Sequence, residues 1–133
     1  MPWTPVDPDD EPDLEKLLAR WLAERLDCRP WWEETEPTNM QAQLPLIRVL
    51  GAGGSEGSDT LRTLRVDVEA FTSSRESAIR LAGRARRAIR WALPGQTWPH
   101  LTVTGTTTGS LPAPQPWSKS VHRYSATYGV TCK

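Results

Sequence analysis

The chain has 133 residues, and its 16 Lys and Arg residues equal its 16 Asp and Glu residues in number. This length is typical of one domain that buries a core without needing disulfides or metal ions. The zero net charge argues against a general nucleic-acid coat or a polybasic membrane binder, because both need a long-range positive field. The apolar runs are too short to cross a bilayer, so we expect no membrane association.

An acidic, proline-rich segment at residues 1–11 is expected to be an arm ahead of a single domain at residues 12–133. Its prolines prevent a continuous helix, and five acids lie between Asp7 and Asp13. A metal site is not favoured there, because hard-cation loops need a defined ligand geometry. The segment also lacks the basic start and apolar stretch of a signal peptide.

The first periodic segment predicts a helix over residues 12–27. Its apolar residues recur at spacings of three and four: Leu14, Leu17, Leu18, Trp21 and Leu22. The following stretch, "CRPWWEETEPTN", breaks this pattern and is interpreted as a loop. We expect its adjacent tryptophans, Trp31 and Trp32, to cap the core, with contact to a partner as the alternative.

Residues 44–50 and 64–70 predict two strands that flank the glycine-rich stretch "GAGGSEGSD". That stretch is interpreted as a flexible hairpin tip, because it lacks the Gly-Lys-Ser/Thr or G-x-G-x-x-G pattern of a phosphate loop. The second strand alternates, so Leu64, Val66, Val68 and Ala70 should face the core. Its opposite, polar face carries Arg65, Asp67 and Glu69.

A second helix is predicted over residues 73–93, with Ser73 and Glu76 as a capping box and Pro94-Gly95 as its end. Its outer face carries four arginines and a tryptophan: Arg80, Arg84, Arg87, Arg90 and Trp91. Three interpretations stay open for this face. It could contact nucleic-acid phosphates, meet an acidic patch on a protein, or be solvated with arginine stems covering the tryptophan.

The C-terminal part predicts a Thr-rich strand at residues 100–109, a proline-rich connection, and a final strand from His122 to Cys132. The final strand alternates, with His122, Tyr124 and Tyr128 on the core side and Arg123 on the other. Trp117 lies between prolines in the connection. It is either an interface anchor or a residue that folds over the end of its own sheet.

These elements define an α+β fold with the order α-β-β-α-β-β. The expected architecture has two layers: a roughly four-stranded antiparallel or mixed sheet with both helices packed on one face. The other face would stay open and polar. Free strand edges next to such a face are a liability for a monomer, but they suit a subunit that pairs with copies of itself.

Catalytic chemistry has no positive support in the sequence. His100 and His122 lie near strand starts, where surface histidines are common. Asp67 and Glu69 share a strand face, but their nearer explanation is cross-strand pairing with Arg65 or Arg123 of this or a neighbouring chain. The two cysteines fit no metal spacing; we interpret Cys28 and Cys132 as free thiols in a reducing cytosol, with a disulfide as the alternative. We therefore expect no cofactor and no enzyme activity.

Two stretches, "RVDVEAFTSSRESAIRLAGRARRAI" and "WSKSVHRYSATYGVTCK", resemble the tail terminator, or minor tail, proteins of long-tailed bacteriophages that infect actinobacteria. The resemblance lies in a Val-Asp-Val strand, an Ala- and Arg-rich helix, a proline-rich loop with a tryptophan, and a final R-Y-x-A-T-Y strand. In element order it extends over residues 14–132. The acidic arm and the Trp31-Trp32 pair are departures from the pattern.

The resemblance implies a virion protein that forms a hexameric ring on the head-proximal end of the tail tube. Such a ring stops tube polymerisation, joins the neck proteins and lets DNA pass through its lumen. The partners would be other copies of the chain, the tube protein and a neck or head-completion protein. Another neck component is the nearest alternative, and a nucleic-acid-binding module that uses the arginine face is a further one.

Overall fold

The computed structural model describes residues 12–57 and 61–133; the predicted arm at residues 1–11 and the end of the glycine-rich stretch lie outside them. Two helices and a six-stranded mixed sheet form the fold. The predicted α+β class is therefore confirmed, whereas the expected number and order of strands are wrong.

Helix α1 spans Leu14–Leu26 and helix α2 spans Arg75–Arg87, which continues as a wider π turn over Ala88–Ala92. The Asp13 side chain caps α1 by accepting a hydrogen bond from a backbone N–H of the first turn. The capping residue of α2 is Ser74, not the predicted Ser73. Both helices thus begin where a short polar side chain satisfies an otherwise unpaired N–H.

The strands follow the order β1-β2-β3-β6-β5-β4 across the sheet, and only the β1–β2 pair is parallel. Their bounds are β1 Arg29–Trp31, β2 Leu46–Glu56, β3 Arg62–Thr72, β4 Thr97–Trp98, β5 Leu101–Pro116 and β6 His122–Cys132. A 3-10 helix at Met40–Gln43 precedes β2. The centre of the sheet is the β3–β6 pair, which keeps one register along its whole length.

Four sequence-based boundaries are corrected by this sheet. The predicted loop after α1 contains β1, and the two-residue β4 was not predicted. The glycine-rich stretch was expected to be a hairpin tip, but as far as Glu56 it is part of β2. The strand passes through an irregularity in its pairing between Gly51 and Gly54. The proline-rich connection is also strand as far as Pro116, which is possible because β5 lies at an edge over that length.

Both helices pack on one face of the sheet, as predicted. The buried cluster between the layers joins the inner stripes of both helices to one alternating set from the strands. It includes Leu18, Leu22, Ala78, Leu81, Ala85, Ile89, Ile47, Val49, Val66, Val68, Val103, Ala126, Tyr128 and Val130. Alanines at the α2 contact let that helix approach the sheet closely.

Substitution of Val68 by Asp should abolish the cooperative unfolding transition, because Val68 is 4% exposed and an unpaired carboxylate there cannot be hydrated. The same change at the exposed Thr107 of β5 is the control and should leave the transition near that of the unsubstituted protein. Circular dichroism during thermal unfolding distinguishes the two. A Val68→Asp protein that melts like the control would contradict the placement of β3 in the core.

Candidate functional site

A second apolar cluster covers one end of the face that the helices leave open. Its centre is three aromatic rings: the Phe71 centroid lies 5.4 Å from that of Trp31 and 5.1 Å from that of Trp117, and the two tryptophans are 6.2 Å apart. Tilted and edge-to-face arrangements at these distances are favourable for aromatic pairs. Met40, Leu46 and Val121 complete its buried part. We call this group the open-face cluster.

The tryptophans that the sequence singled out have definite places in the structure. Trp32 packs half-buried against the main core, so the prediction that the pair caps the core holds for this residue. Trp31 is instead buried in the open-face cluster, on the face of the sheet opposite the helices. Trp117 packs half-buried on Phe71. It therefore folds over the end of its own sheet, the second of its two interpretations, and keeps part of its ring accessible.

Glu69 lies between two arginines on this face. Its carboxylate oxygens accept from Arg48 Nη1 at 3.5 Å and from Arg123 Nη1 at 3.3 Å, and the residue is only 4% exposed. Both guanidinium groups also lie over tryptophan rings, Arg48 over Trp31 at 4.1 Å and Arg123 over Trp117 at 4.8 Å. The arginines thus join the buried charge to the aromatic rings, and the predicted pairing of Glu69 with Arg123 occurs within one chain.

Burial raises the pKa of the Glu69 carboxyl above its ordinary value. The charges of Arg123 and Arg48 oppose this rise in pKa, and the neighbouring Asp67 adds to it. The buried carboxylate therefore depends on both arginines for its ionised form, and loss of either one should favour the neutral acid.

The remaining polar residues of this face differ in accessibility. Asp67 accepts a hydrogen bond from Thr127 Oγ1 at 2.7 Å across the β3–β6 pair. Arg65 is exposed. Of the four residues predicted as contacts on the open face, Asp67, Glu69 and Arg123 are engaged within their own chain, and Arg65 alone projects into solvent.

A cleft of about 450 Å³ opens beside the open-face cluster, between the end of β5, the start of β6 and the start of α2. Prolines and Trp117 form its apolar walls. Four basic side chains line it and no acidic side chain does: Arg75, Lys119, His122 and Arg123. Within the described residues, only Arg123 of these four has an acidic partner. The cleft thus combines apolar walls with two cationic side chains, Arg75 and Lys119, that have no acidic partner in the described part of the chain.

The outer face of α2 carries the arginine ridge, which we define as Arg80, Arg84, Arg87 and Trp91. The three arginines are exposed, and Trp91 is 79% exposed. Arg90 does not belong to this ridge, since it donates hydrogen bonds to Thr106 of β5. In the described part of the chain, the cation–π contacts involve other aromatic rings. The proposed cover of Trp91 by arginine stems is therefore wrong.

One edge of the sheet lacks a strand neighbour over most of its length. β4 pairs only with Leu101 and Thr102 of β5, and no other described strand lies beyond β5. Leu111, on the unpaired part, is 63% exposed. An unpaired edge with an exposed leucine is a surface to which another strand can add.

Residues 12–57 and 61–133 offer few groups for metal binding or nucleophilic catalysis. No three His, Cys, Asp or Glu side chains there converge as a metal site. Both cysteines are free thiols, as predicted, and burial raises the pKa of Cys28 to about 11. His100 is exposed and His122 lines the basic cleft. No helix in this part of the chain is long and apolar enough to span a membrane.

In comparisons with known proteins, neither the family models nor the curated sequences give a match to this chain.

Sequence reasoning missed Arg48 and Phe71 as parts of the site. Arg48 interrupts the apolar run of β2, and a lone charge in such a run indicates a buried partner. That signal was present in the sequence. The partner itself, Glu69, is 21 residues away and is set by the β2–β3 register, which local patterning does not reveal.

Substitution of Trp117 by Ala should lower the free energy of unfolding by about 2 kcal/mol, roughly half the cost for a fully buried tryptophan, because the ring is half-buried. Trp91→Ala is the matched control and should change it by less than ~0.5 kcal/mol, since Trp91 is 79% exposed. Urea denaturation measures both. Equal effects of the two substitutions would exclude the stacking of Trp117 in the open-face cluster.

Cys28 should react slowly with a disulfide reagent in the native protein. With a pKa of about 11, its thiolate fraction at pH 8 is ~100-fold or more below that of an ordinary cysteine. Release of thionitrobenzoate at pH 8 should therefore be slow until urea unfolds the chain. Rapid native reaction of Cys28, measured in a Cys132→Ser background, would contradict this environment.

Proposed function

We propose that this protein is a structural subunit of a phage virion, a tail terminator that forms a ring on the head-proximal end of the tail tube. In this role it stops tube polymerisation, presents the joining surface to the neck and lets DNA pass through the lumen. It performs no reaction and uses no cofactor. The sequence resemblance over the β3–α2 and β6 stretches is the origin of the proposal.

The observation that carries the proposal is the unpaired edge of β5. A ring subunit must offer a surface that a neighbouring copy can occupy, and main-chain groups of an open edge provide such contacts directly. The exposed Leu111 adds an apolar contact on the same strand. β5 carries no Lys, Arg, Asp or Glu from Leu101 to Pro116. Its prolines at 112, 114 and 116 and its irregular register interrupt the edge, and Arg90 occupies the Thr106 carbonyl, so a neighbouring strand would add at the residues between Thr106 and Pro112.

The arginine ridge supports a second class of partner. It lies on the helix layer, while the β5 edge lies in the sheet, so the two surfaces can be occupied together. Arginine and tryptophan are the residues most enriched at binding hot spots. We assign the ridge to the tube or neck protein and expect its partner surface to be acidic, because no acidic side chain interrupts it after Glu76.

Tails assembled without this protein should be of abnormal, extended length, because no ring would stop tube growth. Electron microscopy of lysates from a phage with this gene disrupted measures tail length directly. The nearest alternative, a head-completion or connector protein, predicts tails of normal length that fail to join heads. That result would replace the terminator role by the connector role.

Substitution of Leu111 by Lys should weaken self-association at least tenfold without unfolding the domain, because a charge on an edge strand opposes strand addition. Gln41→Lys adds the same charge at an exposed position of the 3-10 helix, outside β5, and is the control. Light scattering of each protein, alone and mixed with tube protein, gives the masses. Unchanged assembly of Leu111→Lys would remove the β5 edge from the interface.

DNA binding through the arginine ridge is the remaining alternative, and it makes a separate prediction. A module of that kind should bind duplex DNA at low salt and lose affinity steeply as salt rises. Replacement of Arg80, Arg84 and Arg87 by Ser should then reduce both the affinity and the salt dependence. Absence of a shift at low salt excludes this function.

A further inference from the structure

The basic cleft has the chemistry of a receptor for an acidic peptide. It is lined by Arg75, Lys119, His122 and Arg123, and prolines and Trp117 form apolar walls beside them. Arg75 and Lys119 have no acidic partner among residues 12–57 and 61–133. An occupant that carries several carboxylates, a tryptophan and prolines would match both the lining and the walls.

The first eleven residues of the chain have this composition. The sequence "MPWTPVDPDDE" contains four acids, three prolines and Trp3, and it carries no basic side chain. We propose that this N-terminal segment of one copy binds the basic cleft of a second copy. The inference rests on the self-association in the proposed function but not on the phage role.

The geometry disfavours the same contact within one chain for most of the acids. The segment joins the described structure at Pro12, which lies against Leu64 and Arg65 at one end of the sheet. Arg123 of the cleft is six residues along β6 from Gly129, the partner of Arg65, a separation of roughly 20 Å along the strand.

The length of the chain limits how far the acidic residues can lie from Pro12. Asp9, Asp10 and Glu11 lie within three residues of Pro12, so an extended backbone carries them at most ~11 Å away. The backbone of these three acids therefore extends only about half of the distance to Arg123 of their own chain. A neighbouring copy presents its cleft without this limit, and exchange of such arms around a ring would link each subunit to the next.

A synthetic peptide of residues 1–11, added to the full-length protein, tests the cleft directly. We expect saturable binding, measured by isothermal titration, that weakens at least tenfold in the Arg75→Glu/Lys119→Glu double variant. Arg20→Glu/Arg25→Glu, on the exposed face of α1, is the matched control and should bind as the unsubstituted protein does. Equal binding to both variants, or equal binding of a scrambled peptide, overturns the inference.

Carbodiimide cross-linking tests the exchange between copies. An equal mixture of ¹⁴N- and ¹⁵N-labelled full-length protein should give a cross-link between Lys119 and Asp9 or Asp10, with mixed isotope labels in the joined peptides. The exchange is refuted if all cross-linked peptides carry a single isotope label. It is also refuted if an assembly of confirmed mass gives no cross-link between these residues. Neither result contradicts the assembly role. If the protein binds the peptide but stays monomeric in the presence of tube protein, both the ring and the exchange between copies are rejected. Only the binding of the acidic segment by the cleft is then retained.

Discussion

The continuous register between β3 and β6 is the constraint on which the rest of the structure depends. Eleven consecutive residue pairs, from Arg62 with Cys132 to Thr72 with His122, hold the two strands without a bulge. Because side chains alternate along a strand, this register sends one apolar set toward the helices and the opposite set to the other face. A shift by one residue would place Glu69 in the main core and Val68 on the open face.

The open face resolves a conflict between charge and burial. The β3 register places Glu69 where neighbouring strands and the aromatic rings exclude water, and a carboxylate there is costly unless it is paired. Arg48 from β2 and Arg123 from β6 approach it from both sides, and their flat guanidinium groups also cover tryptophan rings. Arginine suits this double contact better than lysine, because its planar group both stacks and donates. The pairing also ties three strands together on the side that has no helices.

Local periodicity predicted the helices and strands that have one apolar face and one polar face. Both helices, the alternation of β3 and the alternation of β6 were readable because apolar residues recur at the helix or strand period. The end of β2, the proline-rich half of β5 and the short β1 could not be predicted in this way. Glycine and proline normally interrupt strands, and here their strand form depends on pairing with distant residues, such as Gly54 with Leu64 and Pro114 with Tyr124. The open-face cluster was missed for the same reason, since Trp31, Phe71 and Trp117 meet only after the sheet has formed.

The two edges of the sheet differ, and this difference bears on how copies could meet. On one side, β1 covers only the first three paired residues of β2 and leaves its glycine-rich end exposed. On the other side, β5 offers a longer edge that contains prolines and an exposed leucine. An isologous contact uses the same surface on both partners, whereas a contact between unlike surfaces repeats from copy to copy and closes into a ring when the rotation allows. In the self-association that we propose, a sheet with two unlike edges and an acidic segment that starts at the opposite end from a basic cleft would meet head to tail rather than as a symmetric dimer.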